Sequence, residues 1–200
     1  MKLREIAELS HQERAQFEIN HENIENWLTR MSVNNFTIDP NTNVVNVDGD
    51  VFLSGKQLSV IPFQFGYVSD NFSVSNCSQL KSLRGSPHTV GGDFQFNSTP
   101  VSSLEGIPEI IGGILVMDNT PKLRSLSGID KHIKEIRGQL WCSSTVTHIL
   151  GLILINGLKA VDIDSRGPID RIMNKYLGTG DIISAQDELI DAGLKDQARL

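Results

Sequence analysis

Asp162 and Asp164 stand two residues apart in an apolar run, so on an extended strand both carboxylates leave the same face. Such a pair could start a divalent-cation or hydrolytic site, but no further ligand follows at a spacing that completes it. With Val161 and Ile163 directed inward, the simpler reading is a solvated strand face. His11, His21, His88, His132 and His148 are scattered, and none belongs to an HExxH pattern or pairs with a nucleophile. Gly91-Gly92-Asp93 and Gly178-Thr179-Gly180-Asp181 lack the remainder of a phosphate loop and read as turns. Cys77 and Cys142 have no CxxC partner and read as reduced, buried thiols of a reducing compartment. No catalytic constellation, metal-ligand set or cofactor motif emerges, which favours binding over catalysis.

An internal repeat sets the elements that carry these side chains. Ser82-Leu83-Arg84-Gly85, Ser103-Leu104-Glu105-Gly106 and Ser125-Leu126-Ser127-Gly128 share a Ser-Leu-x-Gly core, and Ile61 and Ile149 extend it as weaker copies. Three residues before each anchor stands another aliphatic: Leu58, Leu80, Val101, Leu123 and Val146. Asn76, Asn97 and Asn119 lie seven before the strong anchors and are expected to hydrogen-bond backbone at the turn after each strand. The series Phe52, Val74, Phe96, Met117, Leu140 reads as an inward strand ladder, with Gly91-Gly92, Gly112-Gly113 and Gly138 at bends before it. A unit that cannot bury its own apolar face must stack, which predicts a β-solenoid of about five rungs of about 22 residues.

These leucines, the asparagine and the unit length, with Val45-Asn46-Val47-Asp48-Gly49-Asp50-Val51 and Gly91-Gly92-Asp93-Phe94, resemble leucine-rich-repeat-like accessory proteins of T4-like tailed bacteriophages. The resemblance covers roughly residues 36–165, and the copies here are more degenerate than the typical unit, with the core lost at Ile61 and in part at Ile149. It implies a non-enzymatic protein that binds and inhibits a host protein in the bacterial cytoplasm. Antiviral defence toxins, including those that ADP-ribosylate DNA, are one such target class.

The flanks read as helical, giving an α+β organisation of an N-terminal cap (1–35), the solenoid (36–165) and a C-terminal cap (166–200). Leu3, Ile6, Ala7 and Phe17 make one apolar stripe, and Asn20 caps a second helix carrying Ile24, Trp27, Leu28 and Met31. Asp39-Pro40-Asn41-Thr42 is a turn between strands 36–38 and 44–47. The run 149–155 fits a buried strand, and Leu158 to Asp164 a shortened last rung. Pro168 opens a helix to Leu177, and a second runs from about Asp181 to Ala192 before Gly193. These helices either cap the stack or dock a partner.

The chain has 200 residues, 18 Lys plus Arg against 24 Asp plus Glu, and a net charge of −6. Residues 1–35, 36–167 and 168–200 each carry a net two negative charges, so no basic stripe exists to hold a phosphate backbone. No run approaches the roughly 18 apolar residues of a membrane helix, and Met1-Lys2-Leu3-Arg4-Glu5 opens no secretory signal. The expected partner is therefore a protein, with a monomer slightly favoured. If the ladder residues point inward, Ser73, Ser75, Gln95, Asn97, Val116, Asp118, Gln139 and Trp141 form the outward, binding face. Trp141 is either its anchor or is covered by the C-terminal helices. Two alternatives accompany this reading: a virion or assembly component that packs on itself or on other phage proteins, and an enzyme with a site near Asp162 and Asp164.

Overall fold

A computed structural model describes residues 21–163 and 165–200. The Leu3, Ile6, Ala7 and Phe17 stripe, the Asn20 cap and Asp164 lie outside them. Segments of two to four residues, too short to stand alone, become strands by stacking on their counterparts one repeat away. They are β1 (Phe36–Ile38), β2 (Val45–Val47), β3 (Val51–Phe52), β4 (Phe65–Val68), β5 (Phe72–Ser73) and β6 (Thr89–Val90). Then follow β7 (Phe94–Gln95), β8 (Ile110–Ile111), β9 (Leu115–Val116), β10 (Glu135–Ile136), β11 (Gln139–Trp141) and β12 (Ala160–Asp162). Two six-stranded sheets result, ordered β1-β2-β4-β6-β8-β10 and β12-β11-β9-β7-β5-β3. All pairings are parallel except β1 with β2, whose turn is held by the Asp39 carboxylate accepting from the Asn41 and Thr42 amides and the Thr42 hydroxyl.

The chain is a β-solenoid of about six turns with parallel sheets, one turn more than the sequence suggests. Each full turn carries two strands, not one. The pairs of the first sheet, such as Thr89-Val90 and Ile110-Ile111, are too short to show a period. Val47, Val68, Val90, Ile111 and Ile136 line the inside of that sheet and are buried.

In the second sheet the register runs Val51–Phe72–Phe94–Leu115–Leu140–Val161. A second inward row follows, with Leu53, Val74, Phe96, Met117, Cys142 and Ile163, all buried. The expected ladder departs from this at two places, by one residue at Phe52 and by two at Leu140. Phe52 points outward and is 57% exposed, and Leu140 aligns with Phe94 rather than with Phe96. A one-residue slip exchanges the faces, because side chains alternate. The step from Met117 to Cys142, 25 residues, is the longest of this row, and the turn it spans carries a short extra helix, α1 (Ile129–His132), after Gly128. The repeated aliphatics of the return side, from Leu58 and Ile61 to Val146 and Ile149, are all buried.

The repeated asparagine works differently from expectation. The equivalent residues are Asn76, Ser98 and Asn119, with φ of 58°, 57° and 51°, and Gly55 holds the same place at φ 70°. The position needs a residue that tolerates left-handed backbone, which asparagine and glycine do. Asn97 is off by one and instead accepts from Ser75 Oγ. The rung-to-rung side-chain ladder lies on the other side of the strand. Asp50 Oδ1 accepts from the Asn71 amide (3.0 Å), Asn71 Oδ1 from the Asp93 amide (2.7 Å) and Asp93 Oδ1 from the Ile114 amide (2.7 Å).

Both ends carry helices. Before β1 stands the entry helix, His21–Arg30. It buries Ile24 and Leu28 and sets Trp27 edge-on to Phe63 at 5.1 Å. From there Phe63, Phe65, Phe72, Phe94 and Phe96 touch ring to ring at 5.1 to 5.8 Å, an aromatic spine through the first turns. The run 149–155 is not a strand: residues Leu150–Leu154 form a 3-10 helix. Beyond β12 come α2 (Pro168–Tyr176) and α3 (Ile182–Asp191). Asn174 of α2 accepts from the Val161 amide (2.7 Å) and donates to its carbonyl (3.1 Å), while Asp170 accepts from the Ile163 amide (2.6 Å). Two side chains thus stand where the next strand would pair.

Candidate interaction face

The outer face of the second sheet has one central row: Phe52, Ser73, Gln95, Val116, Trp141 and Asp162. Strand neighbours lie about 4.8 Å apart, so Phe52 and Trp141 stand about 19 Å from each other. Trp141 is 40% exposed, uncovered by the C-terminal helices, and its indole N–H donates to Gln139 Oε1 at 3.0 Å. That bond holds the ring across the strand and satisfies its one polar group.

The floor between the two rings is low. Ser73, Ser75 and Val116 lie on the expected face but are buried, at 3%, 5% and 8% exposed. Their side chains are short and stand among longer neighbours. Ser73 Oγ lies 2.7 Å from Ser54 Oγ and 3.2 Å from Ser75 Oγ, so these hydroxyls tie one turn to the next. Gln95 and Asn97 are half-buried, whereas Asp118 and Gln139 are exposed. Five of the eight predicted residues thus reach solvent, and three serve as floor. Phe52 belongs to the face and was missed. The step from Asp50-Val51 to Asn71-Phe72 to Asp93-Phe94, 21 and 22 residues, carries the true register and would have placed it.

Asp162 is exposed beside Trp141, while Val161 and Ile163 are buried, as the alternation predicts. Both cysteines are free and buried. Burial, then the charges of Asp170, Asp118 and Asp162, push the Cys142 thiol far above its ordinary range, so it is a poor nucleophile. Burial also raises Cys77. Among the described residues no group of three or more His, Cys, Asp or Glu side chains could hold a metal ion.

Two open clefts are present, one of them at the edge of the face. One, of about 450 Å³, adjoins the β12 end and is lined by Gln139, Asp162, Arg166, Asp170, Arg171 and Asn174. The other, also about 450 Å³, lies on the return side, where Arg84 pairs with Glu105 at 2.7 Å and Lys134 with Glu109. No described helix is long and apolar enough to cross a membrane. Comparison with family models, with curated proteins and with solved structures gives no match for this chain.

Proposed function

We propose that the chain is a non-enzymatic, leucine-rich-repeat-like binding protein that covers a surface of a host protein with the outer face of its second sheet. The observation that carries this reading is a pair of exposed rings, Phe52 and Trp141, across a flat polar floor on a rigid stack. Exposed aromatics on such a scaffold bury much area at little loss of rotamer freedom, which is how binding hot spots are built. The resemblance to accessory proteins of T4-like phages supplies the setting: the bacterial host cytoplasm, with an antiviral defence toxin as target, such as one that ADP-ribosylates DNA. Inhibition would be steric. Affinity capture from host lysate with the wild type, Trp141→Ala and Asp118→Lys tests it. The expected result is a partner held by the wild type and lost with both variants; identical partner sets for all three overturn it.

The outer edge of β3 favours a second reading, because among the described residues no further strand pairs there and a copy of the chain could add one. A virion or assembly component using that edge would grow with concentration in sedimentation velocity. A constant sedimentation coefficient removes this reading.

A further inference from the structure

The formal charge of −6 is even along the chain but uneven over its surfaces. The segments that cross the second sheet are residues 50–54, 71–75, 93–97, 114–118, 139–143 and 160–163. They hold Asp50, Asp93, Asp118 and Asp162 and no lysine or arginine. None of these four carboxylates forms an ion pair with a described residue. Carboxylates elsewhere do: Glu105 with Arg84, Glu135 with Arg137 (2.9 Å) and Glu188 with Lys175 (2.6 Å). Arg166 and Arg171 line the same cleft as Asp162 and bound the acidic strip on that side.

The exposed indole stands between two of the four carboxylates. Trp141 pairs in register with Asp162 on one side and Val116 on the other, and Asp118 lies two residues beyond Val116 on the same face. About two strand spacings, roughly 10 Å, separate the Asp118 and Asp162 strands, with Trp141 on the strand between them. A planar cation suits this arrangement. A guanidinium can lie on the indole face while its N–H groups reach a carboxylate, a combination an ammonium meets less well. A negative surface with no internal cations also favours encounter with a positive one.

Resting on the reading that the second sheet is the binding face, we infer that its occupant is a protein surface carrying arginines, with one guanidinium seated on Trp141 between Asp118 and Asp162. The probe is a synthetic peptide of alternating arginine and leucine, with lysine-leucine and glutamate-leucine peptides for comparison. Binding is followed at low salt by calorimetry and by the Trp141 indole N–H signal in NMR. The arginine peptide is expected to bind, to shift that signal and to outcompete the lysine peptide. Asp118→Asn with Asp162→Asn, which are isosteric and exposed, should weaken it roughly tenfold, and Trp141→Ala by a similar factor. Glu22→Gln with Glu25→Gln on the entry helix removes the same charge elsewhere and should change nothing.

No arginine-peptide binding, equal binding of the lysine peptide, or equal loss in the entry-helix variant overturns the inference. A host protein captured through Trp141 when the arginine peptide does not bind overturns the inference alone. Capture indifferent to Trp141→Ala overturns the broader reading.

Discussion

Alanine at Gly106 separates two costs that the repeat combines. Gly85, Gly106 and Gly128 close the Ser-Leu-x-Gly core with φ of +92°, +87° and +74°, all left-handed. A Cβ on Gly106 would lie 2.5 Å from the carbonyl carbon and oxygen of Leu83 and 2.6 Å from the Arg84 nitrogen. Ordinary contact begins near 3.4 Å, so the two turns must part by roughly 0.9 Å in an interior packed as densely as a crystal. A Cβ on Gly128 meets only Lys131 Cδ, at 3.8 Å. Left-handed backbone costs alanine about 1 kcal/mol at either position. Forcing a methyl group against fixed backbone adds about 1–3 kcal/mol at Gly106 alone. Gly106→Ala should therefore lose about 2–4 kcal/mol and Gly128→Ala about 1 kcal/mol. At roughly 2–4 °C per kcal/mol for a chain of this size, Tm falls by about 4–16 °C against about 2–4 °C. Urea unfolding of both variants, with matching m-values, supplies the measurement. Equal destabilisation would refute the reasoning, since it would mean that the turns do not touch at this corner.

Gly55→Asn should be neutral or stabilising by up to about 1 kcal/mol in the same assay, because Asn76 and Asn119 already hold that backbone conformation and nothing crowds the site. Asn174→Leu leaves the Val161 amide and carbonyl without their partner, costing about 1–3 kcal/mol, and hydrogen exchange at Val161 should accelerate. The Thr42 hydroxyl, then the Thr42 and Asn41 amides, hold the exposed Asp39 carboxyl below its usual range. A depressed folded pKa contributes stability above the unfolded value that is lost as pH falls through the folded one. Carboxyl NMR titration of Thr42→Val should show the Asp39 midpoint rising but still below the ordinary value; no change would remove the hydroxyl from the account.

The repeat was legible because burial recurs with it: every aliphatic anchor from Leu58 to Ile149 is in the core. The entry helix was legible for the same reason, since Ile24, Trp27, Leu28 and Met31 share one face and all pack inward. Direction within a strand was not. Phe52 is flanked by Val51 and Leu53, and a three-residue apolar run carries no alternation to show which member faces out. The 22-residue step to Val74 suggested Phe52, whereas pairing with Ser73 decided against it. The strands of the first sheet beyond β2, two to four residues each, exist only as pairs with other turns, so local pattern could not reveal them. Exposure of the candidate site failed differently: Ser73 and Ser75 face outward but are short, and neighbours from adjacent turns cover them.

Asn174 and Asp170 end the second sheet without contributing a strand, and this makes the length of the molecule a separate variable from its ends. Neither the entry helix nor α2 depends on how many turns lie between them. Insertion or loss of one unit, such as residues 87–108, keeps both termini intact and shifts the Phe52–Trp141 interval by a single step of about 4.8 Å. The face is then a ruler graduated in whole turns. A lineage could fit a target of different breadth by changing the number of graduations, leaving each one as it is.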